Sequence, residues 1–231
     1  FIEAVGQFER IMNDSGFVTL TRLAASEITG QDGKAGIIEK YFSLSQTDTT
    51  CLKDIGLYPE EMRVGDDILC LHTLSDVEDL PGKVGTDCRF EKLSTDRSDC
   101  RLSFAAPVGV LLSCNHVYNQ FIFIDDHAEN LKNFEQTARN MQSLSRYSRA
   151  NQVNKEWIDE YLNEAHSKGL ISVRCHCNVM AWSDDRDELK RIRNDVGSQL
   201  ALMECKPRHN TVDTPTLFWA CIPGNEADFP A

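Results

Sequence analysis

Ile171-Ser-Val-Arg-Cys-His-Cys-Asn-Val-Met-Ala181 decides the fold class. Ile171, Val173, Cys175, Cys177, Val179 and Ala181 alternate with Ser172, Arg174, His176 and Asn178, the period of a β-strand with one core face and one half-exposed face. The two flanks carry a different period. Upstream, Leu131, Phe134, Ala138, Met141 and Leu144 recur at helical spacing. A second helix is signalled by Asn151 or Asn154 as cap, by Val153, Trp157, Tyr161 and Ala165, and by Gly169 just past its end. These two helices are expected to form a hairpin. Downstream, Ser183 caps a third helix that is acid-rich at its start (Asp184, Asp185, Asp187, Glu188) and basic further along (Lys190, Arg191, Arg193), with Leu189, Ile192 and Val196 as its buried stripe.

Working outward, Phe121–Ile124 reads as a short strand buried on both faces, and Ala201–Glu204 and Thr216–Ile222 as two closing strands. The second half therefore reads β-α-α-β-α-β-β. The first half opens with a short amphipathic helix on Ile2, Val5, Phe8, Ile11 and Met12, ending near Asn13–Gly16. Phe17–Leu23 and Ile38–Leu44 read as a pair of strands across the loop of Gly30, Gly33 and Gly36. A turn at Val64–Asp67 leads into the strand Ile68–Leu74, and an apolar run from Leu102 to Leu112 is broken at Pro107 and Gly109. The expected fold is α+β, with mainly antiparallel sheets and helices on one face. A strand-rich part spans 1–115 and an α+β part spans 116–231. The start at Phe1 and the end at Pro230-Ala231 read as those of an excised piece.

Composition narrows function. Thirty-six acidic residues against 24 basic ones give a formal charge of −12, which would repel a phosphate backbone, so no direct nucleic-acid partner is expected. Arg139, Arg146 and Arg149 are the one basic hint, and a solvated helix face accounts for them. The longest apolar run, Val108–Cys114, falls far short of a bilayer span. Nine cysteines without a regular framework suggest reduced thiols in a cytoplasm. That setting leaves the acceptor-like Asn13-Asp-Ser15 without a glycosylation role.

Candidate chemistry is sparse. Gly30-Gln-Asp-Gly-Lys-Ala35 resembles a phosphate-binding loop, but its glycines are too close together and Ala35 stands where a hydroxyl would help hold magnesium. A hairpin loop is the expected reading. Cys175, His176, Cys177, Cys205 and His209 carry zinc-compatible residue types, yet on a strand His176 points away from the two thiols. Cys114 with His116, two residues on, is a local thiol–imidazole pair. The acidic groups at Asp76, Glu78 and Asp79, at Asp125, Asp126 and Glu129, and at Asp184–Glu188 read as solvated loops and helix starts. Trp157, Trp182 and Trp219 read as core or sheet-face residues. No catalytic, cofactor-binding or metal-binding residue is assigned.

Three stretches carry a resemblance: Val64–Pro81 (VGDDILCLHTLSDVEDLP), Pro107–Ile124 (PVGVLLSCNHVYNQFIFI) and Phe218–Pro230 (FWACIPGNEADFP). In these the chain resembles TraG-like conjugation proteins of Bacteroides-type conjugative elements, a branch of the type IV secretion ATPases, and the likeness runs over essentially the whole chain. The resemblance implies an N-terminal, non-motor region. A RecA-like motor using ATP and magnesium would follow residue 231, and no catalytic residue or cofactor would lie in this segment. It further implies assembly contacts with inner-membrane secretion components and other ATPase subunits, homo-oligomerisation of the intact protein, and a place on the cytoplasmic side of the inner membrane, reached through partners. The competing expectation is a nucleotide- or zinc-dependent activity within the segment itself.

Overall fold

The computed structural model describes residues 2–16, 18–45, 52–74, 76–82, 84, 88–91, 93–225 and 229. Its centre is an antiparallel sheet of strands β1 (Ile55–Leu57), β2 (Met62–Val64), β3 (Asp67–Leu74), β6 (His116–Phe123), β7 (Arg174–Ser183) and β8 (Arg208–Asn210). The order is β1-β2-β3-β7-β6, with β8 pairing β3 beside β2. Strands β4 (Cys88–Arg89) and β5 (Arg101–Leu102) form a separate two-stranded ribbon. The α+β class with an antiparallel sheet is thus the observed one. Strands from both halves of the chain share the sheet, β3 running against β7 from Ile68↔Ser183 to Leu74↔Cys177.

The turn expected at Val64–Asp67 is present: β2 and β3 are joined by Gly65 and Asp66, and Gly65 has φ +62. A side chain there would be strained by that φ and would meet Lys53, which is held by its ion pair to Asp67 (2.7 Å).

Helices cover both faces of the sheet, not one. On one face α7 (Arg186–Leu202) and α4 (Ala106–Leu111) bury Val108, Ile192, Val196 and Leu200 against Leu74, Cys177, Val179 and Ala181. On the other, α8 (Thr214–Ala220) and α3 (Ile37–Ser43) set Leu217, Phe218 and Tyr41 over Leu69, Leu71, Met180 and Trp182. This two-sided cover corrects the reading of β7 as half exposed. It is an interior strand between β3 and β6, and even its polar residues His176 and Asn178 are buried.

Several apolar runs read as strands are helices. Pro107 and Pro215 lie in the first turns of α4 and α8, where a missing N–H costs nothing, so Pro107 marks a helix start and not a broken strand, and Pro215 opens a helix in place of the expected strand Thr216–Ile222. Ile37–Ser43 is helical because Tyr41 and Phe42 both pack on Phe218, at ring distances of 4.8 and 6.1 Å. A strand would have sent these neighbours to opposite faces. Glu39 helps by accepting from the Gly36 N–H (2.9 Å). Residues 18–24 are irregular and lead into α2 (Ala25–Thr29); Phe17 lies outside the described residues. Ala201 and Leu202 end α7, and Met203 and Glu204 turn out of it. The second half is therefore β-α-α-β-α-β-α.

The helices α5 (His127–Leu144) and α6 (Arg149–Lys168) form the expected hairpin, joined by Phe134 against Tyr161 (4.9 Å) and ended by Gly169 in the left-handed region. Ser148, not Asn151 or Asn154, stands at the N-cap of α6. Asp185, not Ser183, caps α7, accepting from Asp187 N (2.9 Å) while Ser183 Oγ accepts from Asp185 N (3.1 Å). Helix α1 (Ile2–Asp14) forms as expected but leaves Ile2, Phe8 and Ile11 in solvent. Asn13 is occupied locally, its Oδ1 accepting from Leu20 N at 2.6 Å. Among the described residues no helix is long and apolar enough to cross a membrane.

Candidate functional site

The register of β6 on β7 sets Asn119 beside Asn178. Asn119 Nδ2 donates to Asn178 Oδ1 (2.9 Å) and lies 3.3 Å from Cys221 Sγ; Asn178 Nδ2 lies 2.9 Å from His176 Nε2 and 3.3 Å from the same thiol. The His176 ring stacks on Phe229 at 4.2 Å. Tyr41 closes the roof, its hydroxyl donating to the Phe218 carbonyl (2.7 Å). Above this network a cleft of about 490 Å³ opens between α3, β6 and the end of α8, walled by Ile37, Leu44, Val117, Trp182 and Pro223.

Electrically this floor is neutral. Burial pushes the Cys221 thiol up despite hydrogen bonds from Asn178 and Tyr41, and burial likewise raises the Tyr41 hydroxyl. A thiol held protonated, with amides and a phenol as neighbours, lacks the electropositive surroundings a nucleophile needs. Lys40 and His116 also line the cleft, so a neutral floor and apolar walls stand beside one cationic side chain.

A second titratable group lies on the α7 face. His72 and His209 are paired across β3 and β8 with ring centroids 5.3 Å apart, and Cys70 Sγ is 3.8 Å from His72 Nδ1. Burial, then His209 and Arg193, lower His72 to about 4; burial and Arg193 lower His209. Burial also raises the Cys70 thiol, partly offset by Arg193.

The residues weighed from sequence do not assemble into a centre. Cys177 and Cys205 share the core under α7, while His176 faces α8 and His209 faces His72. Among the described residues no three His, Cys, Asp or Glu side chains form a metal-binding group. Burial raises Cys205 to about 11 and raises Cys177. His116 Nδ1 meets the Cys114 carbonyl at 2.9 Å, not its thiol, which burial also raises. Gly30–Ala35 is a tight turn bridged between Gln31 and Lys34, preceded directly by the helix α2 and not by a strand. Asp79 is buried and accepts from Arg208 Nε (3.2 Å), Asp125 pairs Arg174 (2.8 Å), and Asp126 caps α5. Trp182 is in the core, whereas Trp157 and Trp219 are exposed.

The feature the sequence reading missed is the sheet edge. In place of a short strand at Phe121–Ile124 buried on both faces, β6 runs from His116 to Phe123, and no residue of it is fully buried. Among the described residues it pairs with β7 alone. Asn119 and Gln120 within an otherwise apolar run were the available signal. Ile122 is 56% and Ile124 80% exposed.

No protein-family model matches this chain, and no curated protein is similar to it.

Proposed function

We propose that this chain is an assembly module: the N-terminal, non-motor part of a conjugation ATPase of the type IV secretion class, contacting neighbouring subunits and inner-membrane channel components at the cytoplasmic side of the membrane. The observation that carries the reading is the β6 edge. Its eight residues, HVYNQFIF, contain no Lys, Arg, Asp, Glu, Pro or Gly. Proteins commonly protect a sheet edge with charge, proline, a bulge or short strands, and an edge without these is a template for pairing with another chain. The opposite side of the sheet ends in β1 and β8, of three residues each. The apolar face of α1 adds a second surface of the same kind. The resemblance at Val64–Pro81, Pro107–Ile124 and Phe218–Pro230 supplies the secretion context.

The test combines two measurements. The chain is mixed with the motor portion of the same conjugation protein and with membrane components of its channel, and co-elution is followed; in parallel it is titrated with a fluorescent ATP analogue and magnesium while phosphate release is monitored. Association without nucleotide turnover is the expected result. Saturable nucleotide binding or phosphate release by this chain alone would overturn the reading in favour of an enzyme.

A further inference from the structure

We infer that the β6 edge pairs antiparallel with β6 of a second copy of this chain, joining two sheets across a two-fold axis near Asn119. This rests on the assembly reading and names the partner of that surface.

The hydrogen-bond phase of the edge can be worked out. Trp182 N donates to Asn115 O, the position that continues the β6–β7 register. In an antiparallel ladder, residues directly opposite each other alternate between exchanging both bonds and exchanging none. Asn115, Val117, Asn119, Phe121 and Phe123 therefore aim their backbone groups at β7. His116, Tyr118, Gln120 and Ile122 aim theirs outward.

These outward groups are self-complementary. With Asn119 opposite Asn119 of the second copy, Tyr118 stands opposite Gln120 and His116 opposite Ile122, so every outward residue meets an outward residue. The ladder gains on the order of eight backbone hydrogen bonds. On one sheet face Val117 comes opposite Phe121 of the other copy, an aromatic against a β-branched side chain, which is a favourable cross-strand pair. No lysine, arginine or carboxylate of the strand meets its own kind across the seam, which is where self-pairing of most edges fails. Each copy carries a formal −12, so repulsion acts at long range while the seam is uncharged; screening by salt strengthens the dimer.

The experiment is sedimentation velocity of the whole chain over a concentration series at low and moderate salt, with amide hydrogen exchange resolved along β6. Expected are a concentration-dependent doubling of mass, favoured by salt, and protection of the amides of His116, Tyr118, Gln120 and Ile122 that rises with protein concentration. Gln120→Glu, a near-isosteric change at an exposed site, places two carboxylates diagonally across the seam, and Gln120→Pro removes an outward N–H that the protomer's own ladder does not use. Each weakens the dimer by about tenfold or more, with unchanged far-UV circular dichroism for Gln120→Glu. A monomer at every concentration and salt overturns the inference. So does a dimer indifferent to Gln120→Glu whose four outward amides exchange freely, which would point to α1 instead. If those amides become protected only when the motor portion is added, the second copy is the wrong partner while the assembly reading stands.

Discussion

Acid should weaken this fold through His72, and the size of the effect follows from its surroundings. His72 is 4% exposed and sits against Cys70, His209 and Arg193, with burial as the chief cause of its low pKa of about 4. The unfolded chain holds the same imidazole near its ordinary value of about 6.5. Because the folded value is the lower one, the unfolded state takes up the proton first as pH falls. Stability is therefore full above about pH 6.5, falls with pH down to about 4, and stays level below that as far as this group is concerned. The whole displacement is worth about 3 kcal/mol, and about 2 kcal/mol of it is lost between about pH 7 and about pH 5. The acids with lowered pKa values, Asp99, Asp125 and Asp187, contribute only at lower pH. Urea denaturation followed by tryptophan fluorescence, at intervals across that range, is compared for the native chain and His72→Gln. The native chain should lose about 2 kcal/mol more than the variant over the interval, with His209, also lowered, supplying a smaller dependence common to both. Parallel curves would refute the argument by showing that His72 carries the same proton affinity folded and unfolded.

Phe218 is 0% exposed and is the contact between α8, α3 and the sheet, so Phe218→Ala should cost about 3–5 kcal/mol in chemical denaturation; a loss below about 1 kcal/mol would mean the α8 layer is not part of the cooperative core. Thiol labelling followed by peptide mass mapping should modify Cys100 and Cys175 well before Cys70, Cys177, Cys205 and Cys221, which are buried and whose thiols burial pushes up. Early labelling of Cys221 would contradict the closed network around Asn178.

Where local chemistry and tertiary packing agreed, the elements were legible. The α5–α6 hairpin, the stripe of Leu189, Ile192 and Val196, the turn at Gly65 and the helix at Ile2–Asp14 all stand where their spacing puts them. Helical periodicity over four or five turns accumulates many concordant residues, and a positive φ nearly demands glycine. Short apolar runs were misread because three or four hydrophobic residues fit a buried strand and a one-turn or two-turn helix equally well. At Ile37–Ser43 and Thr214–Ala220 the deciding contact is between the two segments themselves, through Tyr41, Phe42 and Phe218, far apart in the chain.

The sequence by itself determined the antiparallel α+β class, the absence of charge along His116–Phe123 and the acidic balance of the whole. Tertiary structure alone decided which strand is interior and which is an edge. The alternation at Ile171–Ala181 states that two faces differ in polarity, not that one of them meets water. The polar face of β7 is buried because α8 brings Cys221 and Phe229 is stacked on His176, where Asn119 donates to Asn178 and Asn178 in turn meets His176 and Cys221 in place of solvent. An edge, likewise, is defined by a strand that does not arrive beside it. That depends on every other pairing in the sheet, and within β6 itself only the polar pair Asn119-Gln120 hints at it.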